Sequence, residues 1–215
     1  MSLNIALDGP AGAGKSTIAK MLAARLDILY LDTGALYRAV AYGVIEGGVN
    51  PDNPAAVEKA LPSLNIEVQY KNGAQITLLN NKRLGNEIRT PRISEYASKL
   101  SALPCVRADL LETQRRIAKA MDCVLDGRDI GTMVLPDCPH KFFVTASLEV
   151  RARRRWLEFD KKDDYQTVLE EIKQRDQRDA NREHAPLRQA EDAVLIDTTD
   201  MTPQEAVGEI LRRLP

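Results

Sequence analysis

Short apolar runs recur along the chain, and most of them stop at Asp, Gly, Thr or Ser. Ile5-Ala6-Leu7, Ile28-Leu29-Tyr30-Leu31, Cys123-Val124-Leu125, Phe142-Phe143-Val144 and Ala193-Val194-Leu195-Ile196 are continuous rather than alternating. Strands buried on both faces read this way. Between them, helical spacing runs through 16–26, 33–45, 106–121, 148–157 and 203–214. The alternation predicts an α/β fold, a doubly wound parallel sheet of about five strands flanked by helices.

Two stretches depart from this rhythm. Within 64–84, Ile66-Glu67-Val68-Gln69-Tyr70 and Gln75-Ile76-Thr77-Leu78-Leu79 alternate with period two around Lys71-Asn72-Gly73-Ala74. This predicts a β-hairpin, with a short third strand, inserted between core elements. The segment 151–182 is dense in charge, and Phe159-Asp160-Lys161-Lys162-Asp163-Asp164 reads as a break between two helices.

At 215 residues the chain is sized for one core with insertions. Hydrophobic residues at 44% and charged residues at 28% exclude a disordered chain. With 30 Lys and Arg against 31 Asp and Glu, there is no global attraction to nucleic acid or anionic membrane, so any polyanion must be held locally. Cys105, Cys123 and Cys138 have no Cys-x-x-Cys spacing, and any disulfide scheme leaves one over. The first residues lead straight into Asn4-Ile5-Ala6-Leu7-Asp8, and no run approaches about 18 apolar residues. A cytoplasmic monomer without export signal or membrane span is expected.

Gly9-Pro10-Ala11-Gly12-Ala13-Gly14-Lys15-Ser16 fits G-x-x-x-x-G-K-[ST] throughout, between a predicted strand and a predicted helix. In such a P-loop the backbone N–H groups surround a β-phosphate, Lys15 bridges phosphate oxygens and the Ser16 hydroxyl is placed for Mg²⁺. Asp126, at the carboxyl end of a predicted strand, is the matching carboxylate for Mg²⁺ or its waters, or else a turn residue. The one Asn-Lys pair, Asn81-Lys82-Arg83-Leu84, lacks the Asp of a guanine-reading motif, which argues against a GTPase.

Written as a helix, 174–182 puts Arg175, Arg178, Asp179 and Arg182 on one face. That is either a solvated helix with an Arg175/Asp179 pair or an anion site, since like charges at i, i+4 favour an anion between them. Arg38, Arg89, Arg107, Arg128 and the 151–155 run could join it around several phosphates, the residue type suited to phosphoryl transfer. His140 and His184, the two histidines, stand in no motif. An alcohol acceptor wants a base, whereas a phosphate acceptor is already largely dianionic near pH 7. The inventory favours a phosphate acceptor, while Asp129 and Asp179 leave an alcohol open.

Gly9-Pro10-Ala11-Gly12-Ala13-Gly14-Lys15-Ser16-Thr17, Leu31-Asp32-Thr33-Gly34-Ala35-Leu36-Tyr37-Arg38, Asp126-Gly127-Arg128-Asp129-Ile130-Gly131-Thr132 and Arg175-Asp176-Gln177-Arg178-Asp179-Ala180-Asn181-Arg182 together resemble the bacterial-type cytidylate kinases, in the same order across nearly the whole chain. The 64–84 hairpin resembles the insert that separates this type from the shorter eukaryotic UMP/CMP kinases. The resemblance implies Mg²⁺-dependent transfer of the ATP γ-phosphoryl group to CMP or dCMP. It implies core segments 1–32, 104–148 and 183–215, a monophosphate-binding region 33–103 and a helical lid 149–182.

Carried over by position, Thr33 and Arg38 contact the acceptor phosphate, helped by Arg128 and Arg182, and Arg89 belongs to the CMP-binding set. Ser98, Arg107 and Asp129 read cytosine, and Arg175 and Asp179 contact the ribose. Arg151, Arg154 and Arg155 cover ATP phosphates from the lid. Lys15, Arg128, Arg175 and Arg182 form the catalytic set, and Ser16 and Asp126 the metal set. Many relatives have Ser where Thr33 stands, and some have Gly at Ser16. Kinases of shikimate, gluconate or dephospho-coenzyme A would lack the cytosine-reading set, and the intact acceptor site argues against a regulatory protein that uses ATP as a switch.

Overall fold

The computed structural model describes residues 3–158 and 164–214. Five parallel strands form the main sheet: β1 (Asn4–Asp8), β2 (Leu29–Asp32), β6 (Cys123–Asp126), β7 (His140–Thr145) and β8 (Val194–Asp197), ordered β2-β6-β1-β7-β8. The order reverses beside β1, which opens a crevice at the carboxyl ends of the strands where an α/β sheet takes its ligand. Both faces of β1 are covered. Ile5 and Leu7 pack with α1 (Lys15–Leu26) and α8 (Pro203–Leu211), and Ala6 packs with Leu31, Leu125 and Ile117 on α5 (Pro104–Ala120). Fully burying side chains such as Ile5 and Leu7 stabilises by about 1.5–3 kcal/mol each, so the strand is both legible in the sequence and held in the core.

A separate cluster is built around α2 (Thr33–Glu46). Leu36, Val40 and Val44 meet Val57 of α3 (Pro54–Ala60), Ile93 and Leu100 of α4 (Pro91–Leu100), and Leu110 of α5. The antiparallel insert of β3 (Ile66–Lys71), β4 (Ala74–Leu79) and β5 (Lys82–Arg83) closes it through Leu79. Asn72 and Gly73 both have positive φ, as a tight two-residue hairpin turn requires. The last pair of helices, α6 (Leu148–Glu158) and α7 (Tyr165–Ala180), shares a small core of Ala152, Val168 and Ile172. Trp156 and Tyr165 meet edge to face across it, 6.0 Å between ring centres.

Helices α3 and α4 were not anticipated from apolar spacing, yet each carries a start signal. Asn53 precedes Pro54 and Thr90 precedes Pro91, and both side chains accept from the N–H three residues on. The predicted break at 159–164 lies outside the described residues except for Asp164, which caps α7. Among the described residues, no helix is long and apolar enough to cross a membrane, and all three cysteines are free thiols.

Candidate active site

The P-loop connects β1 to α1. A Cβ on Gly9 would lie 1.9 Å from the Val144 carbonyl oxygen, and one on Gly12 would lie 2.8 Å from that of Arg151, so neither position admits a side chain. Lys15 is buried, and its ammonium donates to the Pro10 carbonyl at 2.7 Å. Burial, then the nearby Arg128, holds its pKa well below that of a free lysine. An anion bound in the loop removes that penalty and fixes the charge.

The carboxyl ends of β6 and β2 place Asp126 and Asp32 side by side, and Asp8 ends β1 one residue beyond Leu7, the register partner of Asp126. Asp126 accepts from the Ser16 hydroxyl at 2.6 Å and from the Tyr30 hydroxyl at 3.2 Å. Burial, then the charge on Asp32, raises its pKa, so the carboxylate sits in want of positive charge. Two hard oxygen donors beside a phosphate-binding loop fit Mg²⁺, which takes its other ligands from phosphate and water. Asp8 is used differently: it accepts the N–H groups of Ile130 and Gly131, both at 2.7 Å. Burial nevertheless pushes its carboxyl up to about 6. That bond pair fixes the π-helical turn Ile130–Val134, and with it the preceding Arg128 and Asp129.

A cavity of about 650 Å³ runs from Gly12, Lys15 and Thr17 to Ser98, Arg107 and Asp129. Nine cationic side chains face five carboxylates around it, leaving a positive surplus that only an anionic ligand offsets. At one end Asp32 caps α2 through Ala35 N–H and accepts from Arg38 at 2.9 Å and Arg89 at 3.3 Å. Thr33, the first helical residue rather than the cap, donates its hydroxyl to the Asp126 carbonyl at 2.6 Å. At the far end Arg107 is ion-paired with Asp129 and also donates to the Ser101 carbonyl at 3.2 Å.

Asp179, 1% exposed, joins three elements: it accepts from Arg128 Nε at 3.0 Å, from Ser98 Oγ at 3.3 Å and from Arg182. Burial alone would raise its pKa, but Arg128, Arg182 and Arg175 together hold it below the usual range. Arg175 lines the same cavity, with its Nε buried and unpartnered. Burial and Arg128 disfavour its charge, which a guanidinium retains at pH 7 all the same.

Several expectations are corrected. Arg182 is not on the helical face: α7 ends at Ala180, and the chain turns back so that Leu187 N–H reaches the Asp179 carbonyl. Arg178 is exposed and away from the cavity, so no anion site lies between Arg178 and Arg182. Asp179 takes Arg128 and Arg182 as its ion-pair partners rather than Arg175. Ser98, expected beside Arg107 and Asp129, is buried and lines the cavity with them. Arg151 does not line the cavity. Its fork is spent on the Ala146 carbonyl at 2.9 Å, the Ala11 carbonyl at 3.2 Å and Asp176 at 2.6 Å, which braces the P-loop from behind. Arg154 and Arg155 do line it, Arg154 held by Thr198 at 2.7 Å and 3.0 Å. Gly9 and Pro10 shape the loop from outside the cavity, while Ala11, Gly12, Ala13, Gly14, Lys15, Ser16 and Thr17 line it. Sequence reasoning missed Asp8, Tyr30, Asp32 and Thr198, of which only Asp32 had a local signal, its helix-capping position.

A strand, a glycine-braced loop and a helix under a cation-lined crevice, with a carboxylate on the neighbouring strand, define a P-loop phosphotransferase. The family model described as cytidylate kinase matches residues 5–215. A "Cytidylate kinase" of Caldicellulosiruptor bescii is 45% identical over 97% of this chain and 94% of its own length. One from Clostridium botulinum strain Langeland is 46% identical over 98% and 96%. The chain belongs to the cytidylate kinase family. In fold alone it resembles the crystal structure of an uncharacterized protein from Eubacterium ventriosum, with a TM-score of 0.56 and 14% identity over 99% of this chain and 98% of that one.

Proposed function

We propose that the protein transfers the ATP γ-phosphoryl group to CMP or dCMP, with ATP on the P-loop and cytosine at the Arg107/Asp129 end of the cavity. The observation that carries this reading is the guanidinium and carboxylate paired at the far end, beside buried Ser98. Cytosine presents an N4 donor with N3 and O2 acceptors, which such a pair meets once it opens. Asp129 and Asp179, the two carboxylates that left an alcohol acceptor open, are each engaged by guanidinium groups, so neither is free as a base. A phosphate acceptor needs none.

Lys15 neutralises charge on the transferring group. Arg128, Arg175 and Arg182 draw acceptor and donor phosphates together, with Asp179 spacing them and meeting the ribose. Thr33, Arg38 and Arg89 receive the acceptor phosphate, and Arg154 and Arg155 cover the ATP side. Mg²⁺ bound at Ser16 and Asp126, directly or through water, would shield the phosphate oxygens and orient them.

In a coupled ADP-release assay over a panel of nucleoside monophosphates, CMP and dCMP are expected to lead and UMP to trail, because uracil reverses the donor and acceptor order. Asp129→Ala should lower kcat/KM for CMP far more than for UMP, with about 1–3 kcal/mol at stake for each buried group left unpaired. A panel in which no monophosphate accelerates ATP turnover would falsify the reading.

The segment 149–182 serves in this proposal as a lid on a core-plus-acceptor-region body, in a cytoplasmic monomer. Bound phosphates offset the cationic surplus around the cavity, so hydrogen exchange in α7 should slow when ATP and CMP are both present. Equal exchange with and without nucleotides would count against a lid.

A further inference from the structure

Strand β2 is the edge of the main sheet, so the outer side of its backbone has no strand partner. At one residue the insert supplies that partner with a side chain. Asp32 N–H donates to Gln75 Oε1 at 2.7 Å, and Gln75 Nε2 donates to the Asp32 carbonyl at 3.3 Å. The primary amide thus reproduces, at Asp32, the paired bonds of an added strand. Its orientation is fixed by its surroundings. Nε2 also donates to Thr77 Oγ1 at 3.1 Å, and with two acceptors on that side the oxygen must face the Asp32 N–H.

What Gln75 grips is the residue on which the cationic end of the cavity is organised. The Asp32 carboxylate caps α2 with one oxygen and holds Arg38 and Arg89 with the other. Arg89 belongs to the 3₁₀ turn Asn86–Arg89, directly after the hairpin. Asp32 is therefore held from two neighbouring segments, at the backbone by Gln75 of the insert and at the carboxylate by Arg89 of the turn that follows it. Arg38 Nε is buried without a partner, a donor still to be matched at this end.

We infer that Gln75 is a positioning residue for acceptor-phosphate binding: by fixing the Asp32 backbone it sets the direction of the Arg38/Arg89 pair. The insert thereby governs the affinity for the monophosphate's phosphate, not the choice of base and not the ATP site. This rests on the proposed placement of the acceptor phosphate beside Arg38. Nothing in the geometry ties Gln75 to Arg107 or Asp129, whose contacts run through Ser101 and α5.

Gln75→Met keeps length and removes both bonds. Steady-state kinetics should show KM for CMP and for UMP raised by the same factor, roughly tenfold for two lost neutral hydrogen bonds. KM for ATP, kcat and the CMP-to-UMP ratio of kcat/KM should stay at parent values. A merely structural role would lower kcat or melting temperature without sorting one substrate from the other. Should Gln75→Met fail to fold, Thr77→Val decides, because it removes the oxygen that orients the amide and should raise both acceptor KM values to a smaller extent. An unchanged KM for CMP, a matching rise for ATP, or an altered CMP-to-UMP ratio overturns the inference. Parent protein inactive on every monophosphate would instead defeat the proposed function, before any variant is read.

Discussion

Lys15→Ala should lower kcat by about 10²- to 10³-fold, the cost of removing one preorganised electrostatic stabiliser, about 3–4 kcal/mol. The ammonium is buried against the loop carbonyl of Pro10 and is discouraged from charging by burial and Arg128. Free protein therefore gains little from it, whereas the phosphoryl transition state, with charge on its equatorial oxygens, gains much. That difference between ground and transition state is what raises rate. The melting temperature of the variant should equal or exceed that of the parent, since the replacement removes a poorly solvated charge. Single-turnover kinetics on the folded variant give the test, and a kcat within threefold of the parent would exclude Lys15 from the chemistry.

Asp179→Ala should be the most damaging single change to the fold of the site. Arg128, Arg182 and Arg175 would confront one another with no carboxylate between them, and breaking a buried pair by removing one partner costs about 3–5 kcal/mol. For a chain of this size that corresponds to a drop of roughly 10 °C in melting temperature. ATP and CMP together should restore part of the loss, because their phosphates take the place of the missing anion. The pH dependence carries a sign. A carboxyl held low in the fold contributes stability above the ordinary Asp value of 3.8, and that contribution fades as pH falls through the folded value. The parent should thus lose this part of its stability only in acid below about pH 4, while Asp179→Ala lacks it at every pH. A variant that melts within about a degree of the parent at pH 7 would show that the arginines do not depend on Asp179.

Whatever the chain encodes contiguously was legible. The P-loop pattern fixes its own neighbours, since a glycine-braced turn joining strand to helix admits few arrangements, and the Asn72-Gly73 turn dictates the hairpin. Asp126 was visible from its place after Val124-Leu125, and the structure sets it against Ser16. Arg151 was harder. Helical spacing gives a side chain's face but not its reach, and this guanidinium turns inward to three carbonyl and carboxylate partners. Arg182 shows the complementary limit: helical spacing does not say where a helix stops, and the stop at Ala180 depends on a return contact from Leu187. Gln75 has no local signal at all. It lies 43 residues from Asp32, and a side-chain amide completing a strand edge leaves no periodicity behind.

The sheet order also has a consequence for how the polypeptide is made. Both neighbours of strand β1, β6 and β7, are translated more than a hundred residues after it. Ile5 pairs in register with Val124 on one side and His140 on the other. The P-loop strand therefore has no sheet partner until translation reaches β6 at Cys123–Asp126, whereas the cluster around α2 draws on residues 35–110 alone and can gather first. During synthesis the acceptor half precedes the nucleotide loop in structure, although it follows it in sequence.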